Sequence, residues 1–307
     1  MPDKINDTPK FSLHFHHAGL TDTGMLRDHN EDNYKLPVQI DELVLSKNGH
    51  LYVLADGMGG HQKGEVASAV TVEAVPTTYY AIPLTMTEEN AEDVIINALS
   101  EAITKANMAV MEATEGGGTT VVTAVLYADL LIAMNVGDSR AYLLRDNELH
   151  LISRDHSLVS RLVEMGKITA EEALTHPRRN VLYQALGQGS DLEIHVSTER
   201  VQPKDVIILC SDGLWGEIDE ADLKQVLNSA PTPHKATKRL IDLANQSGGP
   251  DNITAIIIHI SDQEPPQEQE TEQPRMAAPD DDTEPSLQVA HEKPNTLPEG
   301  KYHTDKS

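Results

Sequence analysis

The apolar positions of the chain follow two patterns, which predict strands and helices in different stretches. Short continuous apolar runs bounded by Gly, Asp or Asn predict strands that are buried on both faces. These runs are 51–55, 119–126, 130–136, 141–144, 206–210 and 253–260. Apolar residues at helical spacing predict helices instead. The helical stretches are 64–75, 91–113, 220–227 and 233–245.

The connections between the predicted strands indicate how the strands are arranged. Residues 127–129 join one pair of apolar runs, and Asp146-Asn147 joins another, both as hairpin turns. A long meander of this kind implies an antiparallel sheet. The order of the elements therefore favours an α+β fold over alternating β-α-β units.

Composition divides the chain into a folded domain with a polar segment at each end. Residues 1–10 are expected to be flexible, and residues 11–261 form the domain, in which 153–187 is a charged insertion lying on the sheet. Residues 262–307 hold 12 acidic residues, 4 basic residues and seven of the 17 prolines, for a net charge of −8 (4 minus 12). Such a segment cannot bury enough apolar surface to fold, so we expect a disordered, acidic, proline-rich tail.

The charge balance excludes several classes of partner. Lys and Arg total 24 against 49 Asp and Glu, which gives a formal net charge of −25. Nucleic acids and anionic membranes bind basic surfaces, so neither is expected as a partner. The chain lacks an apolar stretch of the ~18 residues that a membrane span needs, and its N-terminus lacks the apolar core of a signal peptide. Cys210 is the only cysteine, so we expect no internal disulfide and a cytoplasmic protein.

Four aspartates stand beside the ends of apolar runs: Asp56, Asp138, Asp212 and Asp251. Taken alone, the Asp56-Gly57 pair favours an ordinary turn. If the runs form neighbouring strands, however, four carboxylates converge, and they could not share a site without cations. Two hard divalent cations such as Mg²⁺ or Mn²⁺ would resolve the repulsion, with the Gly57 carbonyl as a further oxygen ligand.

The charged stretch 21–33 contains further candidates. By itself it predicts a solvated loop. If it folds back over Asp56, Arg27 offers a planar fork suited to phosphate oxygens. Glu31 and Asp32 would then lie where acceptors for metal-bound water are needed. No covalent nucleophile is apparent, because Cys210 lacks a Cys-x5-Arg context and the chain has no Gly-x-Ser-x-Gly.

Seven short motifs, in order across roughly residues 10–260, resemble those of a known family. They are Gly24-x-x-Arg27-x-x-Asn30-Glu31-Asp32, Asp56-Gly-Met-Gly-Gly-His61, Gly118-Thr119-Thr120, Asn135-Val-Gly-Asp-Ser-Arg140, Arg154-Asp155-His156-Ser157, Ser211-Asp212-Gly213-Leu214 and Gly249-Pro250-Asp251-Asn252-Ile253-Thr254. The family is that of the bacterial metal-dependent Ser/Thr protein phosphatases of the PPM class, the type-2C phosphatases. Each motif is weak alone, but seven in order make the resemblance highly specific.

The resemblance implies a fold and a metal centre. The fold is an α-β-β-α sandwich of two antiparallel sheets flanked by helices, which is the PPM phosphatase fold. Asp56 would bridge two metals, Mg²⁺ or Mn²⁺. The Gly57 carbonyl would bind one of them, and Asp212 and Asp251 the other. Asp138 together with Asp212 resembles a third, weaker metal site of bacterial members.

The resemblance also implies roles around the metals. Asp32 and Glu31 would hold metal-bound waters, and Arg27 would contact the substrate phosphate. The insertion at about 157–187 resembles the flap that shapes substrate access in the family. The general acid is left open: either His61 or a metal-bound water would protonate the leaving oxygen. A structural His61 that caps the following helix is equally consistent with the sequence.

The function implied is hydrolysis of phosphoserine and phosphothreonine on proteins, by in-line attack of a water that the two metals activate. Phosphorylated proteins and a cognate bacterial Ser/Thr kinase are the expected partners, and a monomer is expected. Two alternatives remain. One is a pseudoenzyme that binds phosphoproteins without turnover, although such proteins usually lose metal carboxylates that are all present here. The other is a metal-dependent phosphatase that acts on small molecules or on one regulatory partner.

Overall fold

A computed structural model describes residues 13–59, 63–87 and 89–263 of the chain. The predictions for residues 1–10, for His61 and for the tail beyond residue 263 lie outside these described residues. The elements are, in chain order, β1 (His14–Asp22), β2 (Asp32–Lys35), α1 (Glu42–Asn48), β3 (His50–Met58), α2 (Lys63–Ala81), α3 (Ala91–Thr114), β4 (Gly118–Thr119), β5 (Val121–Tyr127), β6 (Leu130–Val136), β7 (Arg140–Arg145), β8 (Glu148–Leu151), α4 (Leu158–Glu164), α5 (Ala170–Leu174), β9 (His195–Arg200), β10 (Val206–Cys210), α6 (Asp212–Trp215), α7 (Glu220–Ser229), α8 (Pro233–Gln246) and β11 (Ile253–Ser261).

The strands form two antiparallel sheets. One sheet has the order β2-β3-β5-β6-β9, and the short strand β4 pairs with the end of β3. The other sheet has the order β1-β11-β10-β7-β8. The turn between β7 and β8 places Asp146 and Asn147 at φ values of 50° and 65°, which Asp and Asn tolerate better than most residues. The hairpins predicted at 127–129 and at Asp146-Asn147 are both present.

Each sheet is buried on both faces, which explains the continuous apolar runs in the sequence. Along β3, Leu51 and Val53 pack against α2 and α3, whereas Tyr52 and Leu54 pack against the other sheet. The residues of β10 alternate in the same way between the other sheet and the helices α7 and α8. Three hydrophobic cores therefore separate four layers, and the predicted α-β-β-α sandwich is confirmed.

One predicted strand is interrupted. The run 119–126 forms β4 and β5, which are separated by Thr120. The Thr120 N–H donates to the Asp56 carbonyl oxygen at 2.8 Å, and the Thr120 hydroxyl accepts from the Asp56 N–H at 3.0 Å. The run was predicted as one strand because its residues are β-branched or apolar. In the structure, Thr120 instead holds the backbone at Asp56.

The sequence patterns missed α1, β2, β9 and the four-residue helix α6. The strands β2 and β9 lie at the two edges of their sheet and are at most half-buried except at Asp32. They therefore lack the continuous apolar run that marks the central strands. In the described part of the chain, no helix is both long and apolar enough to cross a membrane.

Candidate active site

Five aspartates lie at one end of the sandwich, where strands of both sheets begin or end. Asp32 opens β2 and is the register partner of Asp56, near the end of β3. Asp138 follows β6, Asp212 follows β10, and Asp251 precedes β11. All except Asp32 line one cleft of about 860 Å³. The structure thus brings together the four aspartates that the sequence predicted to converge, and adds Asp32 beneath them.

Burial and mutual repulsion disfavour the charged form of four of these carboxylates, those of Asp32, Asp56, Asp138 and Asp212. Burial raises the pKa of Asp32 to about 7, of Asp138 to about 8 and of Asp212 to about 6. The pKa of Asp56 is raised well above its usual range by burial and then by the charges of Asp32 and Asp212. Shifts in this direction indicate a concentration of negative charge that a cation would relieve.

The Asp32 carboxylate accepts hydrogen bonds from two hydroxyl groups of the other sheet, one just after β10 and one in β11. Its Oδ2 accepts from the Ser211 hydroxyl at 2.8 Å and from the Thr254 hydroxyl at 2.7 Å. The side chain is only 4 % exposed. Hydrogen bonds to a carboxylate favour its charged form, but they do not offset the burial and the charge of Asp212.

Arg27 is the only arginine or lysine among the described residues that line the cleft. Its Nη2 lies 2.7 Å from Oδ2 of Asp251, and its side chain is half exposed. Arg27 therefore lies beside the aspartates, as predicted for a loop that folds back over Asp56. One guanidinium cannot balance the charge of five aspartates and Glu31, whose own pKa is raised by partial burial.

The donor set fits divalent metals of the magnesium type. Carboxylate and carbonyl oxygens are the ligands that Mg²⁺ and Mn²⁺ prefer. Within residues 13–59, 63–87 and 89–263, no group of three or more Asp, Glu, His or Cys side chains is already placed to hold a metal ion.

Gly57 lies close to the backbone of two neighbouring segments. Its N–H donates to the Glu31 carbonyl oxygen at 3.1 Å. A Cβ at this position would meet the Gly64 carbonyl oxygen at 2.2 Å and the Glu31 oxygen at 2.6 Å. Only glycine fits, because both obstacles are backbone atoms that cannot rotate away.

The facing wall of the cleft comes from the predicted insertion. Asn180 and residues 182–185 of the insertion line the cleft, together with Gln188 just after it, and none of these residues is charged. Ser157 bridges to Leu182 within the insertion, and Leu186 bridges to Thr119 beside Asp56. The insertion is therefore attached directly to the strand ends that carry the aspartates.

Comparison with known proteins assigns the family. The model of the protein phosphatase 2C family matches residues 29–248. The chain belongs to the protein phosphatase 2C family. The Ser/Thr phosphatase Stp of Listeria monocytogenes is 35% identical over 244 residues, which cover 78% of this chain and 93% of that protein.

Two solved phosphatase structures are similar to this chain in fold as well as in sequence. The Ser/Thr phosphatase of S. agalactiae has a TM-score of 0.71 at 32% identity, over 80% of this chain and 99% of that chain. The catalytic domain of the phosphatase PstP, solved with two manganese ions, has a TM-score of 0.68 at 31% identity. That match covers 81% of this chain and all of the PstP chain.

Asn252 is a residue of this 2C site to which the sequence assigned no role. Its Oδ1 accepts from the Glu31 N–H at 2.8 Å. Its Nδ2 donates to the carbonyl oxygens of Thr23 and His29, both at 2.9 Å. Asn252 therefore fixes the loop that carries Arg27 and Glu31 next to Asp251. The Asp251-Asn252 motif marked the residue, but only the folded chain shows what it holds.

Cys210 takes no part in the chemistry. It is fully buried under the helices that cover its sheet. Burial raises the pKa of its thiol to about 12, so it stays protonated and unreactive at neutral pH.

Proposed function

We infer that this 2C-family protein is a metal-dependent protein phosphatase that hydrolyses phosphoserine and phosphothreonine on protein substrates. The observation that supports this most strongly is the convergence of Asp56, Asp138, Asp212 and Asp251 on one cleft, where Arg27 is the only arginine or lysine among the described lining residues. A site of this charge repels a phosphate group unless metals reverse the local field.

We assign the metals to the oxygen atoms around Asp56. Asp56 and the Gly57 carbonyl would hold one cation, and Asp56, Asp212 and Asp251 the other, with Mg²⁺ or Mn²⁺ as the ion. The two manganese ions of PstP support this number. Asp138 with Asp212 would hold a third, weaker cation. Metals in such a site supply Lewis acidity and activate water for in-line attack on phosphorus.

Arg27 orients the substrate in this proposal. Its half-exposed guanidinium can exchange one carboxylate partner, Asp251, for two phosphoryl oxygens. Asp32 and Glu31 would accept hydrogen bonds from waters near the metals and so hold these waters in place. The role of His61 stays a prediction, because this residue lies outside the described part of the chain.

We assign substrate selection to the insertion at about 157–187. Its neutral side chains, at Asn180 and residues 182–185, line the same cleft as the aspartates. Such a surface suits the backbone of a bound peptide better than it suits a second phosphate. We also propose that the domain spans residues 11–261 and the tail residues 262–307. The phosphatase would be a monomer that opposes a cognate bacterial Ser/Thr kinase.

The decisive experiment measures phosphate release from a phosphothreonine peptide in EDTA, Mg²⁺ or Mn²⁺. We expect metal-dependent release by the wild type and none above background by Asp212→Ala. The matched control is Asp129→Asn, which removes an exposed carboxylate paired with Arg200 at a distant hairpin. It should retain wild-type release.

The same assay separates the alternatives. No release by the wild type with any metal would favour a pseudoenzyme. Faster release from nucleotide monophosphates than from phosphopeptides would favour a small-molecule phosphatase. Release that survives both EDTA and Asp212→Ala would show that the aspartates are not the active site.

A further inference from the structure

The backbone of Asp138 is held by the only tryptophan of the chain. The indole Nε1 of Trp215 donates to the Asp138 carbonyl oxygen at 3.0 Å. Trp215 ends the short helix α6, which begins at Asp212. One hydrogen bond therefore ties together two of the segments that supply carboxylates to the cleft.

Arg140 lies over the same indole ring. Its guanidinium carbon is 3.6 Å from the ring centroid of Trp215, within the range of a cation–π contact. Asp155 grips the guanidinium through Nε and Nη2 at distances between 2.7 and 3.3 Å. A third nitrogen, Nη1, donates to the Tyr142 hydroxyl at 3.0 Å. The indole cannot turn away from Asp138 without breaking its contact with Arg140.

The same contacts reach the start of the insertion. Asp155 is followed by His156, whose N–H donates to the Gly137 carbonyl oxygen at 2.9 Å. The Gly137 N–H donates in turn to Nδ1 of His156 at 3.3 Å. The residues before and at Asp138 are thus fixed by the base of the insertion on one side and by Trp215 on the other.

We propose that Arg140 and Trp215 are positioning residues for Asp138. They set the backbone from which the Asp138 carboxylate reaches the weaker cation site, and they link that site to the insertion through Asp155. This inference rests on the proposed role of Asp138 as a ligand. Outer partners of metal ligands typically contribute ten- to a hundredfold to metal affinity.

The test is a titration of metal-free full-length protein with Mn²⁺. Binding is measured by calorimetry and by the electron paramagnetic resonance signal of free Mn²⁺. Asp138→Asn first identifies the site that depends on Asp138. Trp215→Phe keeps an aromatic ring under Arg140 but removes the N–H donor. Arg140→Lys keeps the charge but cannot maintain the bidentate grip and the stacking together.

Arg145→Lys is the matched control. Arg145 lies on the same strand as Arg140 and makes a similar bidentate pair, with Asp205 at 3.0 and 2.6 Å. Its hydrogen-bonding partners are Asp205 and Arg200 rather than any residue of the cleft. It controls for the loss of one partly buried ion pair on β7.

We expect Trp215→Phe and Arg140→Lys to weaken the Asp138-dependent site roughly tenfold, and to leave the other sites within about twofold of the wild type. Arg145→Lys should leave every site unchanged. Because Trp215 is the only tryptophan, filling this site should also change the intrinsic emission of the wild type and of Arg145→Lys, but not that of Asp138→Asn.

Two results would overturn the inference while leaving the metal site intact. One is an unchanged Asp138-dependent site in both Trp215→Phe and Arg140→Lys. The other is an equal loss in Arg145→Lys, which would indicate general destabilisation. If Asp138→Asn itself retains every Mn²⁺ site, the proposed role of Asp138 fails, and the positioning role fails with it.

Discussion

The two walls of the cleft are built on different principles. The carboxylate wall consists of the strand ends that carry Asp56, Asp138, Asp212 and Asp251. Beneath it, the hydroxyl groups of Ser211 and Thr254 donate to Asp32. The facing wall belongs to an insertion whose two helices have only seven and five residues. Chemistry that needs fixed distances is supported by the first wall, whereas the second can change without disturbing the sheets.

The walls also differ in charge. Asp56, Asp138 and Asp212 in the carboxylate wall have raised pKa values, because burial and the charges of neighbouring aspartates act on them. The lining residues of the insertion are neutral. This difference indicates that one wall binds the metals and the phosphate, and that the other wall binds the rest of the substrate. The four predictions below test that division, from the largest expected effect to the smallest.

Asp56→Asn should abolish most activity, because it removes the carboxylate assigned to both metals. We expect a loss of roughly 10²–10³-fold or more in kcat on a phosphothreonine peptide at saturating Mn²⁺. The variant should stay folded, since the backbone of Asp56 is held by Thr119 and Thr120. Near wild-type kcat would contradict the metal assignment; Asp129→Asn serves again as the unaffected control.

Arg27→Lys should weaken binding of the substrate phosphate beside the aspartates. Lysine keeps the charge but cannot bind two phosphoryl oxygens in one plane, so kcat/KM should fall by roughly 10². The loss should be similar for peptides and for p-nitrophenyl phosphate, because both carry the phosphate that Arg27 contacts. A loss confined to peptides would move Arg27 from phosphate binding to peptide binding.

The metal-free protein should be less stable at pH 8 than at pH 6. The folded pKa of Asp32 is raised to about 7 by burial, above its unfolded value of roughly 3.9. The folded state therefore binds more protons than the unfolded state between these values, and stability is lost as the pH rises through 7. We expect a decrease of about 1–2 kcal/mol in the free energy of unfolding by urea in EDTA.

Two controls sharpen the pH prediction. Asp56→Asn should be more stable than the wild type at pH 8 without metal, because one repelling charge is gone. Saturating Mn²⁺ should stabilise the wild type more at pH 8 than at pH 6, because cations bind the charged carboxylates. A metal-free stability that rises from pH 6 to pH 8 would contradict the prediction.

Gln184→Ala should produce the smallest effect and should act on the substrate rather than on the chemistry. Gln184 lines the neutral wall, so its loss should raise KM for a phosphopeptide by a few fold, the cost of about one hydrogen bond. Hydrolysis of p-nitrophenyl phosphate should stay unchanged. Glu171→Gln, on the exposed face of α5, is the control. An equal rise in KM for both substrates would contradict the assignment of peptide binding to the insertion.

Much of the fold could be predicted because buried strands and amphipathic helices carry local patterns. The central strands β3, β6 and β10 appeared as apolar runs, and the aspartates next to them marked the cleft. The edge strand β2 carries no such pattern, because its residues are only half-buried except at Asp32. The break at Thr120 was also missed, because it depends on a contact with Asp56, which is 64 residues away in the sequence.

The sequence by itself determined the layered fold, the family and the identity of the metal-binding candidates. These follow from periodicity and from short motifs, which depend on neighbours along the chain. The tertiary structure alone decided that Asp32 is buried under Ser211 and Thr254, that Arg27 pairs with Asp251 and that Trp215 holds Asp138. Those contacts join residues that are between 77 and 224 positions apart, and only packing of the two sheets brings them within hydrogen-bond distance.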